Sequence, residues 1–295
     1  MSFEEELKQR TEAADKIVCS FLPAGESPQR TIFEAMDYSV TAGGKRLRPI
    51  IMKEFCSLFD RESPELEYFM AAIEMIHTSS LVHDDLPAMD ADRLRRGKPT
   101  TWVVYGDDIA ILAGDALMIY AFEVAAKAFE CTDSAALTGR CIGVLAQKTG
   151  IYGMIGGQTV DVELTGKSIQ ADTLDFIYRL KTGALLETSA MIGAMLGGAD
   201  EREVMTAQRI AEDIGMAFQI RDDILDVTGT EEVLGKNVLS DQKNDKTTYV
   251  TLYGMEEAER LVAFYLDRAM DALEGLGKEN RFLGELLRWL INRDN

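Results

Sequence analysis

The chain is poor in the residues that interrupt helices and in those that do nucleophilic or redox chemistry. Six prolines in 295 residues leave long stretches with no backbone reason to break. Four cysteines, Cys19, Cys56, Cys131 and Cys141, form no CxxC pair and sit in apolar or helical patterns. Buried reduced thiols are therefore expected over disulfides or a zinc site, which points to a reducing, cytoplasmic setting. Two histidines and no nucleophile elbow around any serine give no support for acyl transfer. Positive charge is also short: 31 Lys and Arg against 50 Asp and Glu leave a net charge of −19, which argues against binding nucleic acid or anionic lipid. The amino terminus "MSFEEELKQR" has no apolar signal-peptide core, and no uncharged apolar run is long enough for a membrane span.

What remains is 46% hydrophobic sequence, spaced in threes and fours. That spacing predicts helices over about residues 3–21, 29–42, 46–60, 65–85, 106–130, 134–149, 171–197, 202–226 and 256–291. "GGK" at 43–45 separates two of them, and "GLGKEN" at 275–280 divides the last. With no repeat, low-complexity tract or linker, the simplest organisation is a single all-α domain spanning residues 1–295. The polar stretch at 227–250 reads as a long functional loop.

Against this apolar texture, "SSLVHDDLPAMDADRLRRGKPT" at 79–100 places carboxylates and then cations in quick succession. Pro87 should end the preceding helix near Leu86 and curl the chain until Asp90 returns to Asp84 and Asp85. Carboxylates at the negative end of a helix need compensation. In "AFQIRDDILD" a second group, Gln219, Asp222, Asp223 and Asp226, is spaced by three and four along one polar ridge. A lone Asp pair is more often a solvated or capping feature, and Asp107-Asp108 fits that description. Two such pairs, each with a third Asp and apolar neighbours, suggest an oxygen-lined cleft for a hard cation such as Mg²⁺ with a phosphate ester. Lys45, Arg46 and Arg48 in "GGKRLRP", with Arg95, Arg96, Lys181-Thr182 and Lys236, supply donors suited to phosphate. His77 lies two helical turns before Asp84 on the same face, able to point into the cleft or to be an ordinary core histidine.

The motifs "GGKRLRP", "HDDLPAMDADRLRRGKPT", "LAGDAL", "GGQTVDVE", "KTGALLE", "FQIRDDILD" and "GKNVLSDQKNDKTTY", in this order, resemble the short-chain trans-polyprenyl diphosphate synthases, the farnesyl and geranylgeranyl diphosphate synthases. The resemblance implies an isoprenoid synthase fold, a bundle of roughly ten or more helices around a central cavity. It further implies about three Mg²⁺ ions held by Asp84, Asp85, Asp90, Asp222, Asp223 and Asp226 on an allylic diphosphate. By motif position, Arg95, Lys181, Thr182, Gln219 and Lys236 would hold the allylic diphosphate. Lys45, Arg48, His77 and Arg96 would hold isopentenyl diphosphate, and the enzyme would be a homodimer.

Product length follows from α-helical rise. Ser80 and Ser79 lie four and five residues before Asp84, about 6 to 7.5 Å toward the amino end, and form the expected floor for the growing tail. Similar farnesyl synthases commonly carry a large aromatic at the position of Ser79, so a serine favours geranylgeranyl (C20) over farnesyl (C15) diphosphate. A class I terpene cyclase would have no use for a second diphosphate site, and a noncatalytic partner subunit or metal-binding scaffold would usually lack the second Asp cluster.

Overall fold

A computed structural model describes residues 1–228 and 247–292. Lys236 lies outside the described residues. The chain is mostly helical, and its contacts group into two compact units.

The first unit comprises residues 1–53 and 62–142. Its α1 (Phe3–Ser20) starts at a capping box in which Glu5 N–H donates to Ser2 Oγ and Ser2 N–H to Glu5 Oε2. Then come α2 (Arg30–Val40), the first part of α3 (Leu47–Ser57), and α4 (Leu66–Asp84). Residues 69–76 of α4 are buried without a break, so α4 is the axis around which this unit packs. A short hairpin follows, β1 (Leu94–Arg95) with β2 (Lys98–Pro99), then α5 (Thr101–Tyr105) and α6 (Asp107–Lys127).

With its terminal 3₁₀ turn, the helix from Asp107 to Glu130 is long and apolar enough to cross a membrane by length and composition, which the charge-based reading of the sequence passes over. Its Ala110, Ala113, Gly114, Leu117, Ala121 and Val124 are buried, and it packs on α4. Ile111, Leu112 and Ile119 are exposed.

The second unit comprises residues 54–61 and 143–295. It takes in the end of α7 (Ala135–Thr149), α8 (Met154–Leu164), α9 (Ala171–Ile177), α10 (Ala184–Gly197) and α11 (Glu201–Thr228), and then α12 (Tyr249–Tyr253), α13 (Met255–Gly275) and α14 (Arg281–Asn292). The long α11 is its spine, packed by α10 and by the Ala258, Val262, Tyr265, Ala269 and Leu273 stripe of α13.

Two elements differ from the sequence expectation and a third follows it. The helix expected over 171–197 is interrupted by a π-helical turn, Tyr178–Gly183. α8 forms where the glycine pair Gly156-Gly157 masks helical periodicity. The segment 256–291 is two helices, divided where "GLGKEN" predicts.

Candidate active site

In the first unit, the turn before α3 sorts the three cations of "GGKRLRP". Gly43 and Gly44 have φ of 102° and 136°, and Arg46 itself has φ of 48°. That strained backbone turns Arg46 inward, where its side chain is 0% exposed. The guanidinium donates to Glu74 Oε1 of α4 (2.9 Å), Asp15 Oδ1 of α1 (2.8 Å) and the Val40 carbonyl of α2 (2.5 Å). Arg46 is therefore neutralised inside the fold. Its neighbours point elsewhere: Lys45 is exposed, and Arg48 is half-buried with a buried Nε that has no hydrogen-bond partner among the described residues. Burial pushes Arg48 down to about 10, opposed by Glu74, so it stays charged at neutral pH.

His77 stands one turn beyond Glu74 on α4. Burial drives its pKa well below the usual 6.5, and the positive charges of Arg48, Arg96, Arg46 and Arg95 push the same way. Of these, Arg46 is paired with Glu74 and Asp15 and Arg95 with Asp85, so Arg48 and Arg96 are the cations of this corner suited to an anion.

Arg95 and Arg96 are separated by the geometry of the hairpin. Arg96 and Gly97 occupy its two-residue turn, both with positive φ (55° and 76°), the signature of a primed turn. Arg95, on the strand, donates through Nε to Asp85 Oδ1 at 3.0 Å, with Nη2 on the same oxygen. Arg96, at the tip, donates to the Gly43 carbonyl, and a methyl on Gly44 would collide with its guanidinium. Adjacent residues thus serve opposite sides of the hairpin.

The first Asp group closes as Pro87 predicts. α4 ends at Asp84, Leu86 N–H donates to His83 O, and Asp90 N–H returns to the Asp84 carbonyl at 2.9 Å. Asp85 is 4% exposed, and burial raises its pKa although Arg95 opposes the shift. Ser79 is 0% exposed. Its hydroxyl donates to Ile76 O and that of Ser80 to His77 O, each at 2.8 Å, so both hydroxyls are turned back into their own helix.

In the second unit, α8, α9, the π-turn and α11, with Thr247 and Thr248, line an open cavity of about 180 Å³. Lys181, Thr182, Gln219, Asp222, Asp223 and Asp226 all line it. The expected allylic-site residues of this unit that are described are therefore gathered in one place. Lys181 Nζ donates to Asp161 Oδ2 at 2.5 Å. Asp223 is buried and accepts from the Tyr178 hydroxyl (2.8 and 2.9 Å) and the Tyr249 backbone N–H (2.9 Å). Tyr249 in turn donates to Asp175, and its own pKa is raised, by burial first and that carboxylate second.

Sequence reasoning missed Glu74, Asp161, Tyr178 and Tyr249. Asp161 was visible inside "GGQTVDVE". Glu74 carried a signal too, as a charge inside an apolar helix one turn before His77. Among the described residues no three His, Cys, Asp or Glu side chains are assembled as a metal site. The donors present are all carboxylate oxygens, which suit a hard cation completing its shell with water and phosphate.

The polyprenyl synthetase family model matches residues 29–274. The chain belongs to the polyprenyl synthetase family. A farnesyl diphosphate synthase of Geobacillus stearothermophilus is 39% identical over all of this chain and 99% of its own length. A geranylgeranyl diphosphate synthase of Cyanophora paradoxa is 40% identical over 98% of this chain and 96% of its own. The crystal structure of a geranyltransferase from Legionella pneumophila superposes with a TM-score of 0.86 at 32% identity, covering 99% of this chain and 98% of that one. The isoprenoid synthase fold and the short-chain trans-prenyl diphosphate synthase assignment follow, and this polyprenyl synthetase is a prenyltransferase. These two relatives differ by one per cent in identity and carry different product names, so overall identity does not choose between C15 and C20.

Proposed function

We propose that the protein condenses isopentenyl diphosphate with dimethylallyl, geranyl and farnesyl diphosphates, releasing pyrophosphate and ending at geranylgeranyl diphosphate. The observation that carries the reaction class is the shared cavity wall of Lys181, Thr182, Gln219, Asp222 and Asp226. It combines phosphate donors with hard-cation ligands, which together stabilise the charge of a departing diphosphate. Lys181, Thr182 and Gln219, with Arg95 and Lys236, bind and orient the allylic diphosphate. Lys45, Arg48, His77 and Arg96 bind isopentenyl diphosphate, with Arg46 withdrawn from that role by its ion pairs.

Asp84, Asp85, Asp90, Asp222, Asp223 and Asp226 are the residues that would hold Mg²⁺, which when bound supplies positive charge to the departing diphosphate. The chain's own cations assist by stabilising the same leaving group, and its apolar interior excludes water from the allylic carbocation. The double bond of isopentenyl diphosphate then forms the new carbon–carbon bond. The proton lost in restoring a double bond goes to pyrophosphate.

The longer product rests on the small side chain of Ser79, where similar farnesyl synthases carry a large aromatic; its hydroxyl is bonded back to Ile76 O within α4. The free thiols of all four cysteines accord with a cytoplasmic enzyme. The exposed Ile111, Leu112 and Ile119 of α6 would be covered in a homodimer. Radiolabelled isopentenyl diphosphate with each allylic primer, followed by separation of products by chain length, tests the reading. A C20 end product supports it; a C15 end product from dimethylallyl and geranyl diphosphates, with no label added to farnesyl diphosphate, rejects the length assignment.

A further inference from the structure

The π-turn Tyr178–Gly183 sits in a run that would otherwise be one helix from Ala171 to Gly197. A π-turn is held by its surroundings more than by its own hydrogen bonding, and such turns concentrate at functional sites. Here two glycines of two other helices press on it. A methyl added at Gly157 of α8 would stand 2.3 Å from the backbone N of Lys181 and 2.8 Å from both the carbonyl carbon and Cβ of Leu180. One added at Gly215 of α11 would stand 3.1 Å from Gly183 Cα. The first contact cannot exist without moving backbone; the second asks for a few tenths of an ångström. Neither glycine has a positive φ. Room, not conformational freedom, is what glycine supplies at both positions.

We propose that Gly157 is a positioning residue for the diphosphate-binding lysine. Its missing side chain lets α8 seat directly on the main chain of Lys181, and that contact sets how far the Lys181 ammonium and Thr182 hydroxyl reach into the cavity. Asp161 lies one turn further along the same helix and pairs with Lys181 Nζ. Displacing α8 therefore moves the backbone of Lys181 and the partner of its ammonium together. Gly215 acts in the same sense from α11, more weakly. The inference rests on the allylic diphosphate binding at Lys181 and Thr182 proposed above.

The test compares Gly157→Ala, Gly215→Ala, Lys181→Ala and, as control, Gly143→Ala on α7, whose added methyl would meet nothing within 4 Å. Two quantities are read: the Kd of a non-ionisable thiolodiphosphate analogue of the allylic substrate, and the KM of each substrate. Gly157→Ala should raise the analogue Kd and the allylic KM roughly tenfold or more, as misplacement by about an ångström does. Gly215→Ala should move both less in the same direction, Gly143→Ala should move neither, and the isopentenyl diphosphate KM should hold throughout. General destabilisation would lower the active fraction and leave both KM values alone. If Gly157→Ala does not fold, Gly215→Ala carries the test. The inference is overturned if the glycine variant leaves the allylic constants unchanged while Lys181→Ala weakens them. An inert Lys181→Ala rejects the allylic-site reading itself, and the inference with it.

Discussion

Arg46 Nη1 lies 2.9 Å from Glu74 Oε1 with both side chains almost completely buried, at 0% and 2% exposure. This pair turns one cation of a three-cation motif into the protein. Removing one partner of a buried pair strands the other charge and costs about 3–5 kcal/mol, whereas replacing both by apolar groups can be nearly neutral. Urea denaturation should show that large loss for Arg46→Met, which leaves the Glu74 carboxylate buried without this pair, and recovery of most of it in Arg46→Met/Glu74→Leu. The double variant should still have a raised KM for isopentenyl diphosphate, because the turn carrying Lys45 and Arg48 loses its anchor. A double variant as unstable as the single would refute the pairing.

His77 should be neutral at physiological pH. Its folded pKa lies well below the 6.5 of an unfolded chain, so the unfolded state takes up a proton first as pH falls. This contribution to stability is complete above about 6.5 and is lost progressively between there and the folded pKa. Imidazole NMR resonances should show His77 untitrated at pH 6.5. Saturating inorganic pyrophosphate should raise its pKa by offsetting the guanidiniums around it. A His77 that titrates near 6.5 and ignores pyrophosphate would contradict the anion site.

The Tyr178 hydroxyl on Asp223 ties the π-turn to α11. Loss of a hydrogen bond to a charged acceptor costs about 1.5–3 kcal/mol. Tyr178→Phe should lower stability by about that much, and Tyr178→Phe with Asp223→Asn should be clearly non-additive in a double-mutant cycle on urea midpoints. Additive losses would mean that the two do not act as a unit.

Ser79→Tyr should shorten the product, placing a ring where the serine now offers no bulk. Chain-length analysis should shift from C20 toward C15 with overall turnover retained. An unchanged product distribution would sink the floor assignment.

The helical periodicity and the two Asp clusters were legible in the sequence because each is a local pattern. The return of Asp90 to Asp84 could be argued from Pro87 alone, and the backbone bond between them follows that argument. That Arg95 and Arg96 bond different parts of the chain was not legible in the sequence. It depends on positive φ at Arg96 and Gly97, a hairpin geometry that arginine does not advertise. Arg46 was illegible for a related reason: its partners Asp15 and Glu74 are distant in sequence, and nothing in "GGKRLRP" says which cation turns inward. The π-turn was hidden because its sequence, "YRLKTG", is compatible with ordinary helix; α8 and α11 packed against it mark where it falls.

The central claim is that the protein ionises an allylic diphosphate and couples it to a second diphosphate substrate. Pyrophosphate release by purified protein with Mg²⁺, measured with geranyl and isopentenyl diphosphates together and separately, tests it most directly. The account predicts release that needs both substrates, stops with EDTA, and matches isopentenyl units incorporated one for one. Release from geranyl diphosphate alone, or none with both present, would contradict it.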